Sequence, residues 1–144
     1  MKYSEFMESL HQDRVVEAIR QAETATTGEI RVCVAREPAP DPLAAARAAF
    51  GKLGMAQTRD RNGVLVLVAP ASQTCAILGD DAIHSRVCNE GWTTLTGELS
   101  AAFRAGRATE GLETVIGKIG EELARHFPKQ PGDTNERPDT IAPV

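Results

Sequence analysis

Asp80 and Asp81 stand side by side directly after Gly79, while Asp60 and Asn62 flank Arg61, and Glu29 opens an apolar run farther back. Four carboxylates and one amide are oxygen donors of the kind a hard divalent cation takes in place of water, calcium above all, or magnesium. No His or Cys cluster accompanies them, which argues against zinc. Asp60-Arg61-Asn62-Gly63 starts like a helix–loop–helix calcium site, but an apolar run follows and no Glu stands at the closing position, so that loop type is excluded. Arg59 and Arg61 could neutralise an anion beside a bound cation, and His84, three positions after Asp81, could share a metal or a proton if the segment is helical.

Each of these residues also has a plainer use. Asp80 or Asp81 can cap a helix starting at Ala82-Ile83-His84, where a side-chain oxygen satisfies orphan backbone amides. Asn62-Gly63 is a turn signal, and Glu29 at a strand edge can be solvated or ion-paired. Signatures of familiar catalysts are missing: there is no phosphate-cradling Gly-rich loop, no dinucleotide fingerprint and no Gly-x-Ser-x-Gly elbow. A cysteine phosphatase needs Arg six residues after its nucleophile, and Ala39, Asp81 and Thr94 occupy those places; no Asp-x-Asp pair exists either.

The elements that must position these groups read as alternating α and β. Phe6 and Leu10, then Val15, Ile19 and Ala22, have helical spacing with a break expected near Asp13. Glu29 to Ala35 alternates Ile30, Val32 and Val34 against Glu29, Arg31 and Cys33, which predicts a strand with one wetter face. Asp41-Pro42 opens a helix carrying Leu43, Ala46, Phe50 and Leu53, and Gly54 stops it. Val64 to Val68 is apolar on both faces, a central strand with helices above and below. Pro70 to Gln73 is short enough for a hairpin, so Thr74 to Leu78 returns antiparallel. Beyond Gly79 only helices are expected: a stripe of Trp92, Leu95, Leu99 and Phe103, and another from Leu112 to Leu123.

A helical crossover makes the first two strands parallel, and a hairpin makes the second and third antiparallel. The start of the first strand (Glu29), the approach to the second (Asp60, Asn62) and the end of the third (Asp80, Asp81) then share one edge of the sheet. The expected fold is α/β, a three-layer α/β/α sandwich of Rossmann-like layering around a small mixed sheet of three to four strands, three of them read directly.

The 144 residues suit a single domain, taken as 1–128, with a polar Pro-rich tail at 129–144 expected to be extended or disordered. Sixteen Lys and Arg against 20 Asp and Glu provide no basic field for phosphate backbones, so nucleic acid is not an expected partner. No apolar stretch approaches the ~20 residues that span a bilayer, and Met1 to Glu5 lacks a signal-peptide pattern. A cytoplasmic monomer without membrane insertion is expected. Cys33, Cys75 and Cys88 show neither disulfide nor zinc spacing, and the first two fit as small core residues.

The ordered set Thr27-Gly28-Glu29-Ile30, Leu53-Gly54-Met55 with Thr58, Arg61-Asn62-Gly63-Val64-Leu65, Ile77 through Ile83 with Gly79-Asp80-Asp81 at its centre, a Trp, His126-Phe127-Pro128 and Asn135-Glu136-x-Pro138-Asp139 resembles the TPM-domain family, whose members include thylakoid-lumen, photosystem-repair and receptor-modulating proteins. The resemblance spans nearly the whole chain and is to the short stand-alone forms. It implies a helix-covered mixed sheet of about four strands, a cleft at the loop edge, divalent-cation binding in some members and a weak acid phosphatase activity in the plant branch. Glu29, Asn62, Asp80 and Asp81 match motif positions, whereas Asp60 precedes the motif and rests on the spacing argument alone. The expected function is divalent-cation binding in protein quality control or complex maintenance. A metal-assisted phosphatase with Asp80 and Asp81 as its catalytic pair, or a non-catalytic scaffold for a protein partner, are the alternatives.

Overall fold

The computed structural model describes residues 1–87, 89–129 and 140–144. Its order is α1 (Tyr3–Ser9), α2 (Gln12–Glu23), β1 (Glu29–Val34), α3 (Pro42–Lys52), a 3₁₀ turn (Met55–Gln57), β2 (Gly63–Ala69), β3 (Thr74–Gly79), α4 (Asp81–His84), α5 (Asn89–Arg104), α6 (Ala108–His126) and β4 (Ala142–Pro143). The strands form one mixed sheet in the order β3-β2-β1-β4.

Every residue of β2 is buried, as its doubly apolar sequence requires of a strand covered on both faces. On one face Ile30, Val64 and Val66 pack into a core shared with Ile19 of α2, Leu99 of α5 and Leu112 and Ile116 of α6. On the other, Cys33, Leu65, Leu67 and Ala76 meet Ala46, Ala49 and Phe50 of α3 and Met55. Leu65 and Leu67 are fully buried, each burial stabilising by about 1.5–3 kcal/mol over the exposed side chain. This is the three-layer α/β/α arrangement.

The helix boundaries follow local chemistry. Asp41 caps α3 by accepting the Ala44 N–H at 3.2 Å, with Pro42 in the first turn, and Gly54 ends the segment in the left-handed region, φ 66. The break between α1 and α2 falls at Leu10-His11, where the His11 N–H donates to the Thr109 hydroxyl, slightly earlier than Asp13.

Two expectations are corrected. β1 has no wet face: Glu29 is buried and Arg31 half-buried alongside Cys33, which fills the core as its type led one to expect, because a helix layer covers the sheet on that side too. The chain also returns to the sheet after α6. Ala142 and Pro143 pair in parallel with Cys33 and Val34, and the Val144 N–H donates to the Val34 carbonyl while the Arg36 N–H donates to Val144. Pro143 is tolerated because β4 is an edge strand. The fourth strand therefore comes from the segment read as tail. Cys88 and the Asn135 to Asp139 stretch of the motif fall outside the described residues.

Candidate functional site

Strand register assembles the edge. β1 and β2 pair in parallel with Glu29 opposite Gly63, and β2 and β3 pair antiparallel with Val64 opposite Gly79. The segment leading into β2 therefore lies beside the start of β1, and Asp80 and Asp81, the two residues after β3, lie at the same end of the sheet on the far side of β2. Two backbone bonds fasten these loops: the Asp80 N–H donates to the Gly63 carbonyl at 2.9 Å, and the Ala82 N–H to the Arg61 carbonyl at 3.0 Å.

The acidic groups fall into two halves. In the first, the Asn62 amide Nδ2 donates to Thr27 Oγ1 at 3.0 Å, and the Thr27 hydroxyl donates to Asp60 Oδ2 at 2.9 Å. The Arg59 guanidinium reaches the same Asp60 carboxylate at 3.1 Å. That guanidinium, helped by the Thr27 hydroxyl and opposed by burial, holds the Asp60 carboxyl below its ordinary range. Asn62 is wholly buried, and among the described residues its Oδ1 meets no hydrogen-bond donor and the Thr58 hydroxyl, nearby in sequence, no partner. Glu29, only 1% exposed, sits at the head of β1.

In the second half Asp80 caps α4 by accepting the Asp81 N–H at 2.7 Å. Its two oxygens also take a forked pair of bonds from Arg61, Nε at 2.8 Å and the terminal nitrogen at 3.0 Å. Arg61 adopts the left-handed backbone, φ 52, which L-residues other than Asn and Asp seldom do. Asp81 is almost fully exposed and touches the same guanidinium at 3.5 Å.

The five residues thus share one end of the sheet, where Arg59 closes on Asp60, beside Asn62 and Thr27, and Arg61 closes on Asp80 and Asp81. Among the described residues no three His, Cys, Asp or Glu side chains lie together as a metal-holding group. The physical reason is visible in the partners: Asp60 is turned to Thr27 and Arg59, and Asp80 to Arg61. His84 belongs elsewhere, since its Nδ1 accepts the indole N–H of buried Trp92 at 3.2 Å instead of pairing with Asp81.

Sequence reasoning missed Thr27 as the hub between Asn62 and Asp60, and read Arg59 and Arg61 mainly as a solvated face, with an anion as the alternative, whereas they bond to the neighbouring carboxylates. It also missed Glu23, fully buried at the end of α2, whose carboxylate accepts the Ile30 N–H at 2.8 Å. Alternating charge around Asp60 was the available signal for the arginine pairs. A Glu at a helix end offers none.

No curated protein matches the chain. Among solved structures, the NMR structure of the BA42 protein from the psychrophilic bacterium Bizionia argentinensis superposes with a TM-score of 0.83 at 36% identity, covering 92% of each chain. The N-terminal domain of a P. gingivalis protein, at 13% identity, 79% and 76% coverage and a TM-score of 0.57, shares the fold. Among the described residues no helix is long and apolar enough to cross a membrane. A family model described as the TPM domain matches residues 1–122, more than half of the chain, and with it the chain belongs to the TPM-domain family.

Proposed function

We propose that the loop edge binds a divalent cation, calcium in the first place and magnesium as the alternative, and that the domain serves protein quality control or the maintenance of a protein complex. The binding reading is carried by Asn62 Oδ1, a wholly buried amide oxygen with no donor among the described residues, in a side chain held by the bond from its Nδ2 to Thr27. A buried acceptor left unmet costs about 1–3 kcal/mol, and a cation at the edge relieves that cost. Asp60, Asp80 and Asp81 supply the charge, with Glu29 behind them. Arg61 acts as an internal counter-ion that leaves Asp80 as the metal arrives. The cellular role rests on family resemblance alone.

The test is a calcium titration followed by amide NMR. Shifts at Asp60 to Asn62 and Gly79 to Ala82 are expected, and Asp80→Asn abolishes them. No shifts at millimolar calcium, or shifts confined to other elements, refute the reading.

A second reading is favoured by the two guanidiniums at this edge, Arg59 and Arg61, whose side chains are 60% and 49% exposed. In a metal-assisted phosphomonoesterase, Asp80 and Asp81 hold the cation and an arginine neutralises the phosphate. Hydrolysis of a generic phosphate ester that survives both Asp80→Ala and Asp81→Ala rejects it.

A further inference from the structure

The two edges of the sheet are treated differently. On the β1 side the outward Ile30 N–H is taken by the buried Glu23 carboxylate and the outward Val34 carbonyl by β4. On the β3 side nothing comparable happens. The bond from the Asp80 N–H to the Gly63 carbonyl sets the phase of the antiparallel ladder, so Leu78, Ala76 and Thr74 face β2. Cys75, Ile77 and Gly79 consequently turn their N–H and C=O groups outward, and among the described residues no backbone group of a helix or loop reaches them.

This edge lies at the bottom of a groove of about 980 Å³ between α3 and α5. One wall carries Leu43, 39% exposed and one of two exposed large apolar side chains among the described residues, together with Arg47. The other wall presents the small residues Thr93, Gly97 and Ser100 and ends in Arg104. The ladder is long enough for about six residues of an added strand, roughly 20 Å at the usual rise.

Charge identifies the occupant. Among the described residues the groove lining contains two exposed arginines and no Asp or Glu, on a chain whose net charge is -4. The Cys75 thiol bonds to the Thr96 carbonyl and Gly79 packs on Trp92, so α5 runs antiparallel to β3 and Arg104 belongs to the Thr74 end. A second copy meeting this edge would present the same two arginines and no carboxylate among the described lining residues, so it offers nothing for them to pair with. We propose that the β3 edge is a docking groove for an extended, carboxylate-bearing peptide segment, which adds to the sheet as a fifth strand. Its backbone bonds to Cys75, Ile77 and Gly79, its acidic side chains meet Arg47 and Arg104, and an apolar side chain covers Leu43. This is strand addition, in which main-chain bonds supply affinity and alternate side chains supply selectivity.

The probe is a fluorescein-labelled octapeptide alternating valine with glutamate and threonine, compared with its lysine counterpart and a fully N-methylated glutamate version. The glutamate probe is expected to bind, to shift the Thr74 to Gly79 amides and to slow hydrogen exchange at Cys75 and Ile77. The lysine and N-methylated peptides should each bind at least about tenfold more weakly. Because Arg47 and Arg104 are exposed, the double variant Arg47→Glu, Arg104→Glu keeps the fold, checked by circular dichroism, and should reverse the preference in favour of lysine. The proposal is overturned if the glutamate probe does not bind at millimolar concentration, if its shifts map elsewhere, or if either control binds equally well. It is also overturned if the edge amides become protected through self-association that rises with protein concentration.

Discussion

Gly79 links β3 to the acidic turn, and replacing it with alanine tests whether packing on Trp92 holds that turn in place. The backbone there is not left-handed, so alanine is conformationally acceptable. Space is the obstacle: a Cβ would lie 2.8 Å from Trp92 Cζ2 and 3.0 Å from Ile83 Cγ2. Carbon atoms rest at about 3.5–4.0 Å, so the indole, a rigid buried ring, must retreat by more than half an ångström. Overpacking of this kind costs about 1–3 kcal/mol. The smaller unfolded-state entropy of alanine returns about 0.4–1 kcal/mol, which leaves a net loss on the order of 1–2 kcal/mol. Urea unfolding followed by circular dichroism should show a lower midpoint with an unchanged slope, and heating a melting point lower by roughly 3–6 °C. The mechanism is specific to the ring atoms that phenylalanine lacks. Trp92→Phe should therefore relieve Gly79→Ala, giving a favourable coupling of about 1 kcal/mol in a double-mutant cycle. Equal destabilisation in both backgrounds would show that Trp92 is not the obstacle.

Gly120→Ala should be destabilising by about 1–3 kcal/mol, because its Cβ would lie 2.7 Å from Ala22 Cβ and 3.3 Å from the Ala22 carbonyl, forcing α2 and α6 apart. Gly117→Ala, in the same helix with open space, should instead stabilise by about 0.5–1 kcal/mol; identical unfolding midpoints for the two variants contradict the packing. Asp60, held by Arg59 and Thr27, has a folded pKa below its unfolded value near 3.9. Its contribution is thus fully present above about pH 4 and lost as pH falls through the folded pKa, so Asp60→Asn should flatten the acid limb of stability measured from pH 7 to 2, and parallel curves refute this. Burial pushes the Cys33 thiol up to about 11, so iodoacetamide at pH 8 should label it only when urea unfolds the chain; a labelling rate unaffected by urea, read by peptide mass spectrometry, contradicts its burial.

Strong local signals carried much of the fold. The unbroken apolar run of β2, the short link to β3 and the Asp41-Pro42 helix start each specify geometry through neighbouring residues alone, and together they determine which loops share an edge. The partners within that edge were not legible. Arg61 and Asp80 meet only because β2 and β3 fold back on one another, and Thr27 joins Asn62 to Asp60 from a different loop. Cys33 was legible as a core residue from its type, but the buried state of Glu29 depends on the second helix layer, which alternation along β1 does not reveal. β4 escaped because two residues, one of them proline, carry no strand period and read as a breaker.

That last strand gives the sheet a division in time. β2 and β3 are joined by a tight turn, and β1 reaches β2 across one helix, so these pairings close short loops. Cys33 and Ala142 are separated by most of the chain, and their contact is entropically the most expensive to make early. Docking of β4 is therefore expected late, on the descent from the folding barrier, after the three-stranded sheet exists. Interactions formed that late govern the rate of unfolding and leave the rate of folding almost untouched. Deleting residues 142–144 should therefore speed unfolding in a stopped-flow experiment while folding stays nearly as fast, and equal slowing of folding would show that β4 forms early.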